Sequence, residues 1–266
     1  MKKIGIIGGS GLENINSLTL KDEKILDTPY GSPTSAYYQY ESEDITVYNI
    51  SRHGKNHEYA PHLVNYQANI WGFKHLEVDA VVSFSAVGGI NYEYKNGDLV
   101  LTSDAIDMTS GRKNTFFDKK GEVIHIDMSS PFCKSLRNII KKSSISANIT
   151  LIDKGIYICT NGPRFETPAE INMYRLWGAD MVGMTLFPEI TLTREMGMCY
   201  ANISLITNAA SGVEEDRKLT SDEVIDEALV HQNKISKLVN SIILLISEKE
   251  KCFCADILKG ASISSK

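Results

Sequence analysis

At 266 residues the chain can bury a sizeable core as one large α/β domain, and no linker divides it in two. Hydrophobic residues make up 42% and charged residues 23%, a soluble globular composition, and the longest apolar run, Ile242–Ile246, is far too short to span a bilayer. A formal charge of −5 without a basic block excludes a nucleic-acid surface, and an odd count of five cysteines argues for a reducing, cytoplasmic compartment rather than a disulfide framework.

The first residues, Met-Lys-Lys followed by Ile4–Ile7, imitate a signal peptide, but Glu13 and Asn14 arrive before an apolar region is complete. Residues 3–7 instead read as a β-strand ending in Gly8-Gly9-Ser10-Gly11. Such a loop brings backbone N–H groups and the Ser10 hydroxyl toward an anion, or simply makes a tight turn. It is not the dinucleotide fingerprint, since Ile7 and Asn14 break the spacing. Residues 20–50 read as a meander whose last strand, Ile45–Ile50, delivers Ser51-Arg52-His53-Gly54. Arg52 beside His53 is either an oxyanion clamp, the guanidinium offering paired donors and the imidazole another, or a surface pair. His53, His57 and His62 lack zinc-site spacing, and no metal is expected.

Pro61 is expected to open a helix to about Leu76, with Leu63, Tyr66, Ile70 and Phe73 on one stripe. Ala80–Phe84 reads as a central strand feeding a small-residue loop, Ser85-Ala86-Val87-Gly88-Gly89. Leu99–Thr102 follows as a strand. In Val123–Met128 the lone His125 reads as structural.

The organising stretch is 156–212. Three apolar runs, Ile156–Cys159, Met181–Met184 and Ile203–Ile206, each precede a polar cluster: Asn161–Glu166, Thr185, and Thr207-Asn208. Thr167-Pro168-Ala169-Glu170 is a capping box opening a helix to about Trp177, with Gly178 as its stop, and a second helix spans roughly Pro188–Met198. Parallel strands joined this way open their carboxyl ends on one crevice. Thr220-Ser221-Asp222-Glu223 caps a further helix to about Ser247, with Val224, Ala228, His231, Ile235, Leu238 and Ile242 buried. Residues 254–266 read as a loose tail.

Six loops after six strands thus carry Ser10; Arg52-His53; Ser85-Ala86; Phe165-Glu166; Met184-Thr185; and Asn208-Ala209-Ala210. Three supply hydroxyls and one an Arg-His pair, which suits a phosphate held without metal. Phe165 and Met184 offer apolar surface to a flat ring or sugar. Asn208 can serve N7 and O6 of a 6-oxopurine together, while ionised Glu166 accepts the N1–H of that keto form.

At these residues the chain closely resembles the trimeric-class purine nucleoside phosphorylase and methylthioadenosine phosphorylase family, from residue 3 to about 245. The stretches RHGKNHEYAPHLVNYQANIWG, GPRFETPAE and GADMVGMTLFPE carry the resemblance. It implies a single-domain, three-layer α/β fold over residues 1–250, with a mixed, largely parallel sheet between helices and a short tail, 251–266. It further implies a phosphate site of Ser10, Arg52, His53, Ser85, Ala86 and Thr185, with Met184 against the ribose and Phe165 against the base. Asn208, Arg52 and His53 become the catalytic residues, and Ala209, Ala210 and His125 complete the substrate site. His125 would reach a neighbouring subunit's sugar pocket, which implies a trimer or a dimer of trimers.

Residues 51–72 look more like the methylthioadenosine branch, yet Phe-Glu-Thr and Thr-Asn are the selecting residues of the inosine and guanosine branch. The expected reaction is phosphorolysis of 6-oxopurine ribonucleosides in purine salvage, with inorganic phosphate as co-substrate and no cofactor. Ser221, facing the 5′ group, is small enough to keep 5′-methylthioinosine or 5′-methylthioadenosine as the alternative substrate. A nucleoside-binding regulator without turnover is a more distant reading. Cys252-x-Cys254 resembles the tail of archaeal members in which it takes part in disulfide chemistry, and an inert reduced pair stays open.

Overall fold

The computed structural model describes residues 2–8, 18–42, 44–214 and 218–262. Among them run β1 (Lys2–Gly8), β2 (Thr19–Lys24), β3 (Tyr37–Glu41), β4 (Ile45–Ser51), α1 (Tyr66–His75), β5 (Ala80–Gly89), β6 (Leu99–Leu101), β7 (Asp104–Asp107), α2 (Lys134–Ser146), β8 (Leu151–Ile152), β9 (Ile156–Cys159), α3 (Pro168–Leu176), β10 (Met181–Gly183), α4 (Leu186–Glu195), β11 (Cys199–Ala209), α5 (Ser221–Val230) and α6 (Gln232–Leu245). One mixed sheet joins the strands in the order β2-β3-β4-β1-β5-β10-β9-β7, with β11 pairing to β5 and β6, and β8 to β6.

Both faces of this sheet are covered, which explains the long apolar runs in its central strands. Period-2 alternation sends Ala80, Val82 and Phe84 of β5 and Ala201, Ile203 and Leu205 of β11 toward α2 and α6, against Leu136, Ile140, Leu238 and Ile242. Val81, Tyr200 and Ile206 point the other way, toward α1 and α4, where they meet Phe73 and Ile190. The three layers expected from the sequence are therefore present. Truncating a buried anchor such as Leu238 to alanine costs about 2–5 kcal/mol.

Several boundaries differ from the sequence reading. α1 begins at Tyr66 rather than Pro61, because the Asn65 side chain accepts from the Ala68 N–H and so caps the first turn. Leu63 consequently lies outside the helix and is 61% exposed instead of lining its core stripe. Ser85–Gly89 is strand, not loop, because β11 offers a parallel partner along all of β5. The last helix is two helices, broken at His231, so that α5 lies against β11 while α6 packs on α2. The segment after α6 is not loose up to Ser262: Cys252 and Cys254 pack on the core and His125 N donates to Ala261 O. The capping boxes hold. Thr167 and Glu170 exchange bonds reciprocally, and the Thr220 side chain accepts from Glu223 N.

Candidate active site

The strands carrying the polar clusters do not all run one way. β10 is parallel to β9 but antiparallel to β5, with Val182 opposite Gly88. The chain leaving β10 therefore passes back along β5, and Thr185 Oγ1 comes to 3.4 Å from Ser85 Oγ. A cleft of about 530 Å³ opens there, within the roughly 300–1,000 Å³ of small-molecule sites. It is lined by Arg52, His53, Ser85, Ala86, Phe165, Glu166, Met184, Thr185, Asn208, Ala210 and Ser221 together.

Asn208 owes its aim to an irregularity. Ile206 pairs with Val87 and Asn208 with Gly88, so Thr207 is an extra residue in β11, a β-bulge. Such a bulge lets Thr207 and Asn208 both face the cleft where alternation would send one away. Thr207 Oγ1 donates to Asn208 Oδ1 (3.0 Å) and Asn208 Nδ2 donates to Ala209 O (2.9 Å), which fixes the carboxamide and leaves one N–H and one lone pair for a ligand. A Cβ on Gly88 would sit 3.3 Å from that Nδ2, tight enough to press on the carboxamide by a few tenths of an ångström.

Glu166 lies in the same cleft, where burial raises its carboxyl above the usual range while the Thr160 hydroxyl, donating to Oε1 at 2.7 Å, favours the ionised form. Asn208 and Glu166 thus put an amide and a carboxylate into the lining of the same cleft.

At the other end Arg52 is fully buried. Its Nε and Nη2 donate to Glu189 (2.7 and 2.9 Å) and its Nη1 to Phe84 O (2.8 Å). Three of the guanidinium's five donors are thus engaged, and two remain for an anion. The surface-pair reading of Arg52 is excluded by this burial. His53 is held neutral, its pKa lowered to about 4 chiefly by burial and then by the Arg52 charge. Its Nδ1 lies 2.8 Å from Tyr59 O, an acceptor only, so Nδ1 carries the proton and Nε2 is left as an acceptor. The sequence reading made this imidazole a further donor, and the structure corrects that: Nε2 suits the P–OH of hydrogen phosphate.

Behind the cleft runs a directed chain of hydrogen bonds that the sequence reading missed. Tyr200 Oη donates to Glu189 Oε1 (2.7 Å), so Ser83 Oγ, 2.7 Å from Tyr200 Oη, must donate to it. Asn202 Nδ2 donates to both Ser83 Oγ (2.8 Å) and Ser85 Oγ (3.0 Å), and its Oδ1 accepts from Thr102 and Ser204. Ser85 is thereby left with its own O–H to give to Thr185 Oγ1, 3.4 Å away, or to a ligand. The available signal was Ser83, Asn202 and Ser204 standing in otherwise apolar strands. Arg112 was also missed: it donates to the carbonyls of Met184 (2.9 Å) and Asn161 (3.0 Å), tying together the loops after β10 and β9.

Ser10 lies outside the described residues. Ala209 contributes its carbonyl to Asn208 but does not line the cleft. His125 is exposed and away from the cleft of its own chain.

The α/β fold thus gathers a buried guanidinium, hydroxyls, an amide, a carboxylate and apolar side chains around one cleft. The profile of the Phosphorylase superfamily matches residues 3–244. The chain is 45% identical to S-methyl-5′-thioadenosine phosphorylase of Thermofilum pendens, over 98% of both chains. It is 38% identical to 6-oxopurine nucleoside phosphorylase of Pyrococcus furiosus, over 98% of this chain and all of that one. Methylthioadenosine phosphorylase from Schistosoma mansoni in complex with adenine superposes with a TM-score of 0.93 at 28% identity, covering 98% of this chain and 99% of that one. The chain belongs to the phosphorylase superfamily and is a nucleoside phosphorylase, a pentosyltransferase. Among the described residues no helix is long and apolar enough to cross a membrane.

Proposed function

We propose that this enzyme cleaves 6-oxopurine ribonucleosides with inorganic phosphate, giving the free base and ribose 1-phosphate, without a cofactor. The observation that carries the reading is Asn208 and Glu166 in one cleft, an amide beside a carboxylate, above the Arg52, Ser85 and Thr185 end. Phosphate is held by the two remaining Arg52 donors, the Ser85 and Thr185 hydroxyls and, through its own proton, His53 Nε2. Ser10 is expected to join them. A phosphate oxygen forms the new bond to C1′ as the N9–C1′ bond breaks, and the electron pair leaves into the purine. Asn208 stabilises that charge at N7 and O6, while Glu166 accepts from N1–H. Phe165 and Met184 flank base and ribose.

A specific observation supports a second reading of the 5′ position. Around Ser221 the cleft is largely apolar, lined by Leu219, Val224, Ile225 and Ala228 with Gln232 as a polar exception, which favours a 5′-methylthio group over a hydroxyl. The similarity to S-methyl-5′-thioadenosine phosphorylases points the same way. 5′-Methylthioinosine satisfies both ends of the cleft. The active unit is a homo-oligomer, a trimer or a dimer of trimers, in which the exposed His125 is presented to a neighbour's site.

The test is turnover of inosine, guanosine, 5′-methylthioinosine, adenosine and 5′-methylthioadenosine, each with and without phosphate, beside the molar mass in solution. Phosphate-dependent release of hypoxanthine in preference to adenine is expected. A preference for the 6-amino nucleosides would overturn the base assignment, and binding without turnover would make the protein a nucleoside sensor.

A further inference from the structure

Four of the five cysteines meet at one place. Cys133 stands just before the first turn of α2, Cys199 opens β11, and Cys252 and Cys254 follow α6. Their four Sγ atoms all lie within 4.8 Å of one another, the Cys199–Cys252 pair at 3.3 Å, and all four are free thiols. Cys133 and Cys199 are buried, and Cys252 and Cys254 half-buried. The fifth, Cys159, lies elsewhere, on β9, buried among Tyr157, Met181 and Leu186.

We propose that Cys133, Cys199, Cys252 and Cys254 form a closed tetrathiolate site for a soft divalent cation of the zinc class. Around zinc, with Zn–S bonds of about 2.3 Å in a tetrahedron, sulfur atoms stand roughly 3.8 Å apart. The sulfurs therefore need to shift by only about an ångström to enclose the ion, the wider pairs inward and the Cys199–Cys252 pair outward. An all-sulfur set on three converging segments, without a histidine or carboxylate, selects a soft tetrahedral cation over magnesium or calcium. Four thiolates around a divalent ion leave excess negative charge, and two features face it. Lys249 Nζ is 3.6 Å from Cys252 Sγ, and Cys133 occupies the N-cap of the 13-residue α2, at the positive end of its dipole.

The site is structural. It lies at the opposite end of β11 from Asn208, roughly 30 Å away at the strand rise of about 3.3 Å per residue. Its effect is to staple the segment after α6 onto α2 and the sheet. Binding releases the thiol protons to solvent and moves no electrons. Nothing in the sequence spacing signals it, because two of the ligands come from distant elements.

The experiment measures metal in the wild-type protein purified without chelator, then titrates the reduced protein with zinc chloride and, as a spectroscopic probe, with cobalt(II) chloride. One zinc per chain is expected, together with protection of four thiols from a thiol reagent until a chelator is added. The cobalt form should show the sulfur-to-metal charge-transfer absorption of a tetrathiolate. The Cys252→Ser/Cys254→Ser double variant should lose stoichiometric zinc and melt at lower temperature, with phosphorolysis at 25 °C unchanged. Should that variant fail to fold, thiol protection and the cobalt spectrum of the wild type decide alone. Two disulfides in the native protein, or no zinc uptake and no cobalt–sulfur absorption after reduction, would overturn the proposal.

Discussion

The two ends of the cleft are built on different principles. The anion end is made of strand residues backed by a buried, fully directed network: Arg52 on Glu189, Glu189 on Tyr200, and Ser83 and Asn202 carrying the order through to Ser85. The nucleoside end is made of the 160–166 segment and α5, whose side chains are partly exposed and bonded mostly at the surface, Asn161 to Ser110 and Arg164 to Glu170. A network of buried polar groups has one low-energy arrangement, because every unmet partner is costly there. An apolar wall near solvent tolerates changes of shape at small cost. On the proposed function, chemistry common to all substrates sits at the rigid end, and the choice of substrate at the adaptable one.

Glu189→Gln attacks the rigid end at its deepest point. It leaves the Arg52 charge buried without its ion-pair partner, so urea unfolding should show a loss of roughly 3–5 kcal/mol, with a raised KM for phosphate and a smaller change for the nucleoside. Asn208→Ala removes the donor to the leaving purine. It should lower kcat about 10²–10³-fold, roughly 2.7–4 kcal/mol, while the unfolding midpoint barely moves. Asn202→Ala touches no ligand, yet it frees the Ser85 hydroxyl and strands the Thr102 and Ser204 donors. A loss of about 1–3 kcal/mol is expected in stability, with the kinetic defect confined to phosphate. Equal damage to KM for both substrates would erase the distinction between the ends.

At the adaptable end, Ser221→His should lower kcat/KM for 5′-methylthioinosine relative to inosine by about 1–3 kcal/mol, read directly from the ratio of the two. Titration separates the ends more gently. Glu166 has a raised folded-state pKa, so affinity for a 6-oxopurine nucleoside should fall as pH drops through it, and Glu166→Gln should flatten that profile. His53 has a depressed one, about 4 against an ordinary 6.5. Between these values the unfolded chain binds more protons, so stability should fall as pH is lowered from 6.5 toward 4, measured as the urea midpoint.

The residues lining the cleft were legible in the sequence because each follows an apolar run: Arg52 after β4, Glu166 and Thr185 after β9 and β10, Asn208 at the end of β11. Their chemistry could be read from residue type alone. Local patterns also fixed the caps at Thr167 and Thr220, since those bonds span three residues. The Ser85–Gly89 segment was misread because small residues look like a loop until a partner strand is known. The protonation of His53 was misread because its partner, the Tyr59 carbonyl, belongs to the backbone and has no sequence signature.

The sequence by itself determined the layered α/β class and most of the cleft-lining side chains, because alternation, caps and turns are short-range physics. Only the tertiary structure decided which buried groups stand behind those side chains. The Arg52–Glu189 pair, the Asn202 network and the four-cysteine cluster join positions far apart in the chain. Their energies depend on distances of a few ångströms that no local pattern encodes.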